Sequence, residues 1–420
     1  ARVTESVLAR MHYVIHVPRG AEILRPDLVE LEARLAHASR SWMDEYHSLS
    51  LESNNSDLVP VYAEAFPESY KEDFDASIGL ADALIIEKLE PGELALDLYA
   101  PVVSDSRELR FKVMRVGPAM PLTKILPILE RLGVEVLDEH PYEIRRKDRA
   151  SAWILDFGLV LPKGEIYGAD TLFARFESAF EAAWRGQIAS DSFNSLVTQA
   201  GLTWQDAQLI RAYARYMRQI GSTFGQGYIE MVILENAEIS RLLIEFFRVR
   251  FDPMFGGDRE SESHTAREQF DASLVLVPSL DHDRILRLFW TLIEATMRTN
   301  YFANAQTLAF KLVPTMIADI PLPRPAHEIW VHSPRVEGVH LRFGAVARGG
   351  IRWSDRREDF RTEILGLVKA QEVKNAVIVP VGAKGGFFAK NLPDPAIDRE
   401  AWLAEGIGAY QDFIRALLSV

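Results

Sequence analysis

The period of the hydrophobic pattern changes twice along these 420 residues, and this constrains the fold more than any single motif. Between residues 93 and 113 the period is two. Leu94, Leu96 and Leu98 alternate with other residues, and Leu109, Phe111 and Val113 alternate against Arg110 and Lys112. A period of two puts one side of each strand against a core. Leu122 to Leu132 then reads as a helix, with Gly133 placed to cap its C-terminus. Two more strands follow, at about Val134 to Ile144 and Ser151 to Leu161.

Strand, strand, helix, strand, strand predicts a small antiparallel sheet covered by a helix, an ACT-like or ferredoxin-like module. Such modules bind amino acids or serve only to dimerise. From about 165 to 300 the pattern turns helical. Thr203 with Asp206 three residues on predicts an N-terminal cap, and behind it Leu209, Tyr213, Tyr216 and Ile220 form one apolar stripe. Gly225-Gln-Gly227 and Phe255-Gly-Gly257 read as helix-ending loops. Beyond Tyr301 strands return at Thr307 to Val313, Glu328 to His332 and Val339 to Phe343. Upstream, Met11 to Val17 reads as a short strand and Pro26 to about Leu51 as a helix. The expected class is therefore mixed α/β and α+β in several domains. We divide it into an N-terminal αβ segment (1–90), the ACT-like module (91–162), a helical region (163–300) and a final αβ domain (301–420).

Composition narrows the function. A formal net charge of -13 offers no broad basic face for a nucleic acid. There is no cysteine, which excludes disulfides, thiolate catalysis and zinc-thiolate sites. No apolar run has the length of a membrane span, and no signal-peptide pattern opens the chain, so the cytoplasm is the expected compartment. The chain begins at Ala1 and stops inside a helical pattern, so we expect a piece of a larger polypeptide.

Against that acidic background, Arg348 to Lys390 holds nine Lys or Arg and five Asp or Glu. It opens on Arg348-Gly-Gly350 and runs into a helical stretch, Asp359 to Asn375, with Phe360, Ile364, Leu367 and Val368 expected to be buried. Gln371 and Lys374 continue the face of Leu367 at i+4 and i+7. A lysine there either meets an anion in a cleft or snorkels past the helix end. Ala376 to Val381 reads as a buried strand that feeds a glycine-flanked turn, Gly382-Ala-Lys384-Gly-Gly386. Glycines let backbone approach a ligand closely. A desolvated lysine beside other cations can act as an acid or base near neutral pH. Three cations and exposed amides on one strand–helix–strand unit suit a small dicarboxylate gripped at both ends.

These residues resemble the substrate-binding core of glutamate dehydrogenases, most closely the large NAD-dependent type. The match is tightest from about Gly344 to Pro393. The resemblance implies that 301–420 is an incomplete substrate-binding catalytic domain, working in a homo-oligomer on L-glutamate and 2-oxoglutarate. It gives Lys384 the role of the catalytic lysine, which assists water in attacking the iminium and polarises the carbonyl in reverse. Lys374, Gln371 and the Gly350 N–H correspond to the groups that hold the substrate α-carboxylate. Arg348 stands where smaller relatives carry a lysine for the distal carboxylate, a change in reach and donor geometry. The Lys374-to-Lys384 spacing of ten is shorter than in the small hexameric enzymes. The NAD-binding domain and the proton-shuttle aspartate of that family are expected elsewhere, since no Gly-x-Gly-x-x-Gly occurs in these residues.

Three other readings compete. His12 with His16, and His327 with His332, lack a carboxylate at ligand spacing, so no metal site is expected. Asp281-His-Asp283 and Asp355-Arg-Arg-Glu-Asp359 fit helix starts. A non-catalytic amino-acid-sensing or assembly protein explains residues 90 to 300 equally well, yet leaves the glycine-flanked cations unexplained. A leucine- or phenylalanine-type dehydrogenase shares the lysine pair but has no use for Arg348.

Overall fold

The computed structural model describes residues 29–30, 32, 40–101, 107–163, 169–344, 349–375 and 382–420. The expected strand at 11–17, most of 26–39 and the pair His12/His16 lie outside them. The chain divides into two compact units, one of residues 1–88 and 142–152, the other of 89–141 and 153–420.

The first unit is mainly helical between residues 42 and 86. Helix α1 (Trp42–Glu52) starts at Ser41, whose hydroxyl accepts from the Asp44 N–H while the Asp44 carboxylate accepts from the Ser41 N–H. Helix α2 (Ala76–Ile86) crosses it closely, because a Cβ on Gly79 would stand 2.5 Å from the Trp42 ring. Trp42, Tyr46, Phe66 and Tyr70 stack into one aromatic cluster.

The second unit begins with a four-stranded sheet: β1 (Leu94–Tyr99), β2 (Glu108–Val116), β3 (Glu135–Ile144) and β4 (Ala152–Val160), in the order β1-β2-β4-β3. The predicted alternation holds. Leu96 faces Val113 and Leu98 faces Phe111 across the β1–β2 pair. Helix α3 (Leu122–Arg131) and helix α4 (Leu172–Trp184) supply Leu129, Phe176 and Phe180 to the same core. Gly133 ends α3 with φ +81°, as its sequence position predicts.

Helix α5 (Trp204–Gln219) forms the predicted capping box between Thr203 and Asp206. It is buried almost all round rather than along one stripe, because it lies at the centre of the largest core. Around it pack α6 (Gln226–Glu235), α7 (Ala237–Phe251), α8 (Arg259–Leu274) and α9 (Leu280–Ala295). Gly225 is the N-cap of α6, so Gly225-Gln-Gly227 begins a helix instead of ending one. The same core runs on into a six-stranded sheet.

That sheet has the order β5-β6-β7-β8-β10-β9. Its strands are β5 (Thr296–Thr299), β6 (Leu308–Leu312), β7 (His327–His332), β8 (Val336–Arg342), β9 (Ile351–Trp353) and β10 (Ala383–Ala389). The sequence pattern identified β6, β7 and β8. It missed β5 and β9, which have four and three residues and are too short to show a period, and β10, whose start it read as a glycine-flanked turn. Helix α10 (Phe360–Asn375) packs on the Trp330, Val339 and Leu341 face, and α11 (Arg399–Leu418) on the Val331, Val336 and Phe387 face. No helix among the described residues is long and apolar enough to cross a membrane.

Buried charges tie these layers together. Arg361 of α10 and Glu328 of β7 are both fully buried and share two hydrogen bonds of 2.7 Å. Gln219, the last residue of α5, accepts from the Arg361 N–H and donates to the Arg357 carbonyl. Glu337 on β8 accepts from Lys390 at 2.7 Å and from Arg215 at 3.1 Å. Burial pushes the Glu337 carboxyl up, but the Lys390 ammonium and the Arg215 guanidinium outweigh it and hold the carboxyl at about 2, against an ordinary 4.5. Burial also draws the Lys390 ammonium below its ordinary value, with Glu337 opposing. A carboxyl depressed on folding stabilises above its unfolded pKa, and that stability is lost as pH falls through the folded value. Glu337→Gln should therefore be about 3 kcal/mol less stable at pH 7. In urea titrations the gap should close between pH 4.5 and about 2. A gap that stays constant with pH would contradict this.

Candidate active site

Strand β9, helix α10 and strand β10 form a parallel βαβ unit, with Gly385, Gly386 and Phe387 paired to Ile351, Arg352 and Trp353. The helix returns antiparallel to its strands, as such a crossover requires. Its last turn, with Gln371 and Lys374, therefore comes to the end of the sheet where β9 and β10 begin. Gly350 and Lys384 stand at that same end.

Lys384 is the second residue of β10, so it belongs to a strand and not to the expected turn. Two glycines allow the strand to lie there. A Cβ on Gly386 would meet Ile364 of α10 at 2.2 Å, and one on Gly349 would overlap the Ala383 carbonyl oxygen at 1.4 Å. Alternation sends Lys384, Gly386 and Phe388 to the α10 face of the sheet. The ammonium then lies beside Gly350, where a Cβ would be only 3.6 Å from Nζ. The Gly350 carbonyl accepts from the Gly385 N–H at 3.1 Å, which leaves the start of β9 fixed against β10.

Of the five residues expected at the site, Gly350 and Lys384 are thus brought together. Arg348 and the predicted strand at 376–381 lie outside the described residues. Gln371 and Lys374 are placed on the helix backbone only. The stripe that α10 buries is Phe360, Ile364, Leu365 and Val368, while Leu367 is 37 % exposed. The expectation for Leu367 fails because the sheet meets the helix about one position away in phase. His340 was not singled out from the sequence. It lies opposite Gly385 on β8, and burial followed by the neighbouring Arg342 lowers its pKa.

Side chains fill the N-terminal end of α10. Ser354 Oγ and Arg352 Nε donate to Glu363 at 2.6 and 3.1 Å, and Arg356 pairs with Asp359. Carboxylates thus occupy the helix N-terminus where a pyrophosphate would sit, with no glycine loop before it. At Asp281-His-Asp283 the cap is Ser279, which accepts from the His282 N–H. His332 is buried in β7, where burial and then the Lys390 charge draw its pKa well below the ordinary imidazole value. No group of three His, Asp or Glu among the described residues is arranged to hold a metal ion.

Five family models match successive parts of the chain. "Bacterial NAD-glutamate dehydrogenase, catalytic domain" covers residues 269–420, and "Glutamate dehydrogenase, helical motif 3" covers 188–253. The ACT3 domain of glutamate dehydrogenase matches 93–172, helical motif 2 matches 52–89, and the ACT2 domain matches 1–43. Among similar proteins, the NAD-specific glutamate dehydrogenase of Halomonas elongata is 44 % identical over all of this chain and 26 % of its own length. Those of Mycobacterium tuberculosis and Pseudomonas aeruginosa are 42 % and 40 % identical, over 100 % and 99 % of this chain and 28 % and 26 % of theirs. The chain spans about a quarter of the length of these relatives.

Proposed function

Since the chain belongs to the bacterial NAD-glutamate dehydrogenases, we propose that it supplies the substrate-binding half of an enzyme that converts L-glutamate to 2-oxoglutarate and ammonia. The juxtaposition of Lys384 Nζ with Gly350 at the end of the β9–α10–β10 unit carries this reading. In it, Lys374, Gln371 and the Gly350 N–H hold the α-carboxylate, and Arg348 receives the distal carboxylate. Helix α10 also presents its C-terminal end at that side, and the negative end of its dipole favours the cations there.

Glutamate loses a hydride from Cα and a proton from nitrogen to give the iminium. Water then adds to that carbon, ammonia leaves, and the carbonyl of 2-oxoglutarate remains. Lys384 takes the water proton as the C–O bond forms and returns one to the departing nitrogen. In reverse, its ammonium donates to the carbonyl oxygen. The hydride acceptor, NAD, is bound by the part of the protein outside these residues. We further propose a cytoplasmic homo-oligomer, and the domain limits 1–90, 91–162, 163–300 and 301–420.

The distal cation separates this reading from a leucine- or phenylalanine-type enzyme. The full-length protein should reduce NAD with L-glutamate at a kcat/KM at least about 10³-fold above that for L-leucine, since a site built for a charged group leaves it unpaired with an apolar substrate. Equal rates with both amino acids would overturn the assignment of Arg348.

A further inference from the structure

A cavity of about 800 Å³ lies away from Lys384, between the start of α5, the loop after Tyr301, the β7–β8 turn and helix α11. Its charged groups are already partnered. Arg335 makes two hydrogen bonds to Glu405, at 2.8 and 2.7 Å, and one to Asp412 at 2.9 Å. Arg185 pairs with Glu181 at 2.7 Å. A charged ligand would have to break one of these pairs, so the lining favours an uncharged one.

One group is left over. The Gln208 side chain lines the cavity, is 5 % exposed, and makes no hydrogen bond to any described residue. Neither of its amide atoms is sealed off by protein, so both are open to the cavity and to whatever enters it. A primary amide offers one donor and one acceptor side by side and is complementary to a group with the same pair reversed. Trp204, one helical turn before Gln208 on the same face of α5, and Tyr301 supply flat apolar walls. Both are held: the Trp204 indole donates to Ser178 and the Tyr301 hydroxyl to Asp206.

We propose that this cavity is a second ligand site. It takes an uncharged planar group with an adjacent hydrogen-bond donor and acceptor, as found on a nucleobase edge or a carboxamide. The assignment does not rest on the dehydrogenase reading, because it is tested by binding alone. The full-length protein, with its substrate site filled by excess 2-oxoglutarate, would be titrated calorimetrically with adenosine and separately with benzamide. At least one should bind. Binding of adenosine alone assigns the base edge, and binding of benzamide alone assigns the carboxamide. Gln208→Leu should weaken that binding about tenfold or more while leaving the melting temperature unlowered, since it removes no internal hydrogen bond. Gln306→Ala, on the exposed rim and free of packing consequences, should weaken it about threefold and carries the test if the first variant does not fold. Absence of binding by both probes at millimolar concentration, or binding unchanged in the folded variants, would overturn the proposal.

Discussion

Lys384→Ala should lower the kcat of the full-length enzyme with L-glutamate by about 10³-fold, within the usual range for removing a positioned acid–base group. KM should change little, because the carboxylates are assigned to other side chains. The melting temperature should hold, since Lys384 is only half-buried and its ammonium lies beside the Gly350 backbone, with no ion pair to it among the described residues. Lys384→Arg should not rescue turnover, because a guanidinium keeps its proton throughout the working range. A Lys384→Ala enzyme within fivefold of wild type would remove Lys384 from the chemistry.

The largest effect on stability is expected at Glu328. Its carboxylate and the Arg361 guanidinium are both at 0 % exposure, and Glu328→Gln would leave a buried cation without a counter-charge. Such a change costs about 3–5 kcal/mol. Replacing both partners, Glu328→Leu with Arg361→Met, removes the two charges together and should restore most of that loss, as exchange of whole buried pairs for apolar groups often does. Urea unfolding of the single and double variants measures both. If the single variant loses less than about 1 kcal/mol, the pair is more solvated than its burial indicates. The double variant also separates two roles. Together with Gln219 the pair fixes the first turn of α10, whose last turn carries Gln371 and Lys374. A stable double variant with raised KM for glutamate would show that this latch orients the helix, and an unchanged KM would show that it only holds the fold.

How much of this was readable from the sequence depends on the length scale of the signal. The β1–β4 sheet and its helix were legible because Leu96, Leu98, Phe111 and Val113 repeat at period two over whole strands. The Thr203–Asp206 cap was legible because a capping box is a local motif. Short strands were not. Thr296–Thr299 takes its place from pairing with Leu308–Leu312, a tertiary fact. Lys384 reads as a turn residue from its glycines, yet Gly386 serves the close packing of Ile364 and not a turn. Leu367 fell on the wrong side of α10 since a sequence period fixes a stripe only to within about one residue. The Glu328–Arg361 and Glu337–Lys390 pairs join positions 33 and 53 residues apart, and nothing local marks a charged residue as one that will be buried with a partner.

The central claim is that a dicarboxylate is held at the end of the β9–α10–β10 unit, and calorimetric titration with 2-oxoglutarate tests it most directly. The full-length protein would be compared with its Lys374→Ala and Arg348→Ala variants. The account predicts measurable binding by wild type and a loss of about tenfold or more in each variant, one for each carboxylate. Binding untouched by either substitution would contradict it and place the dicarboxylate elsewhere in the molecule.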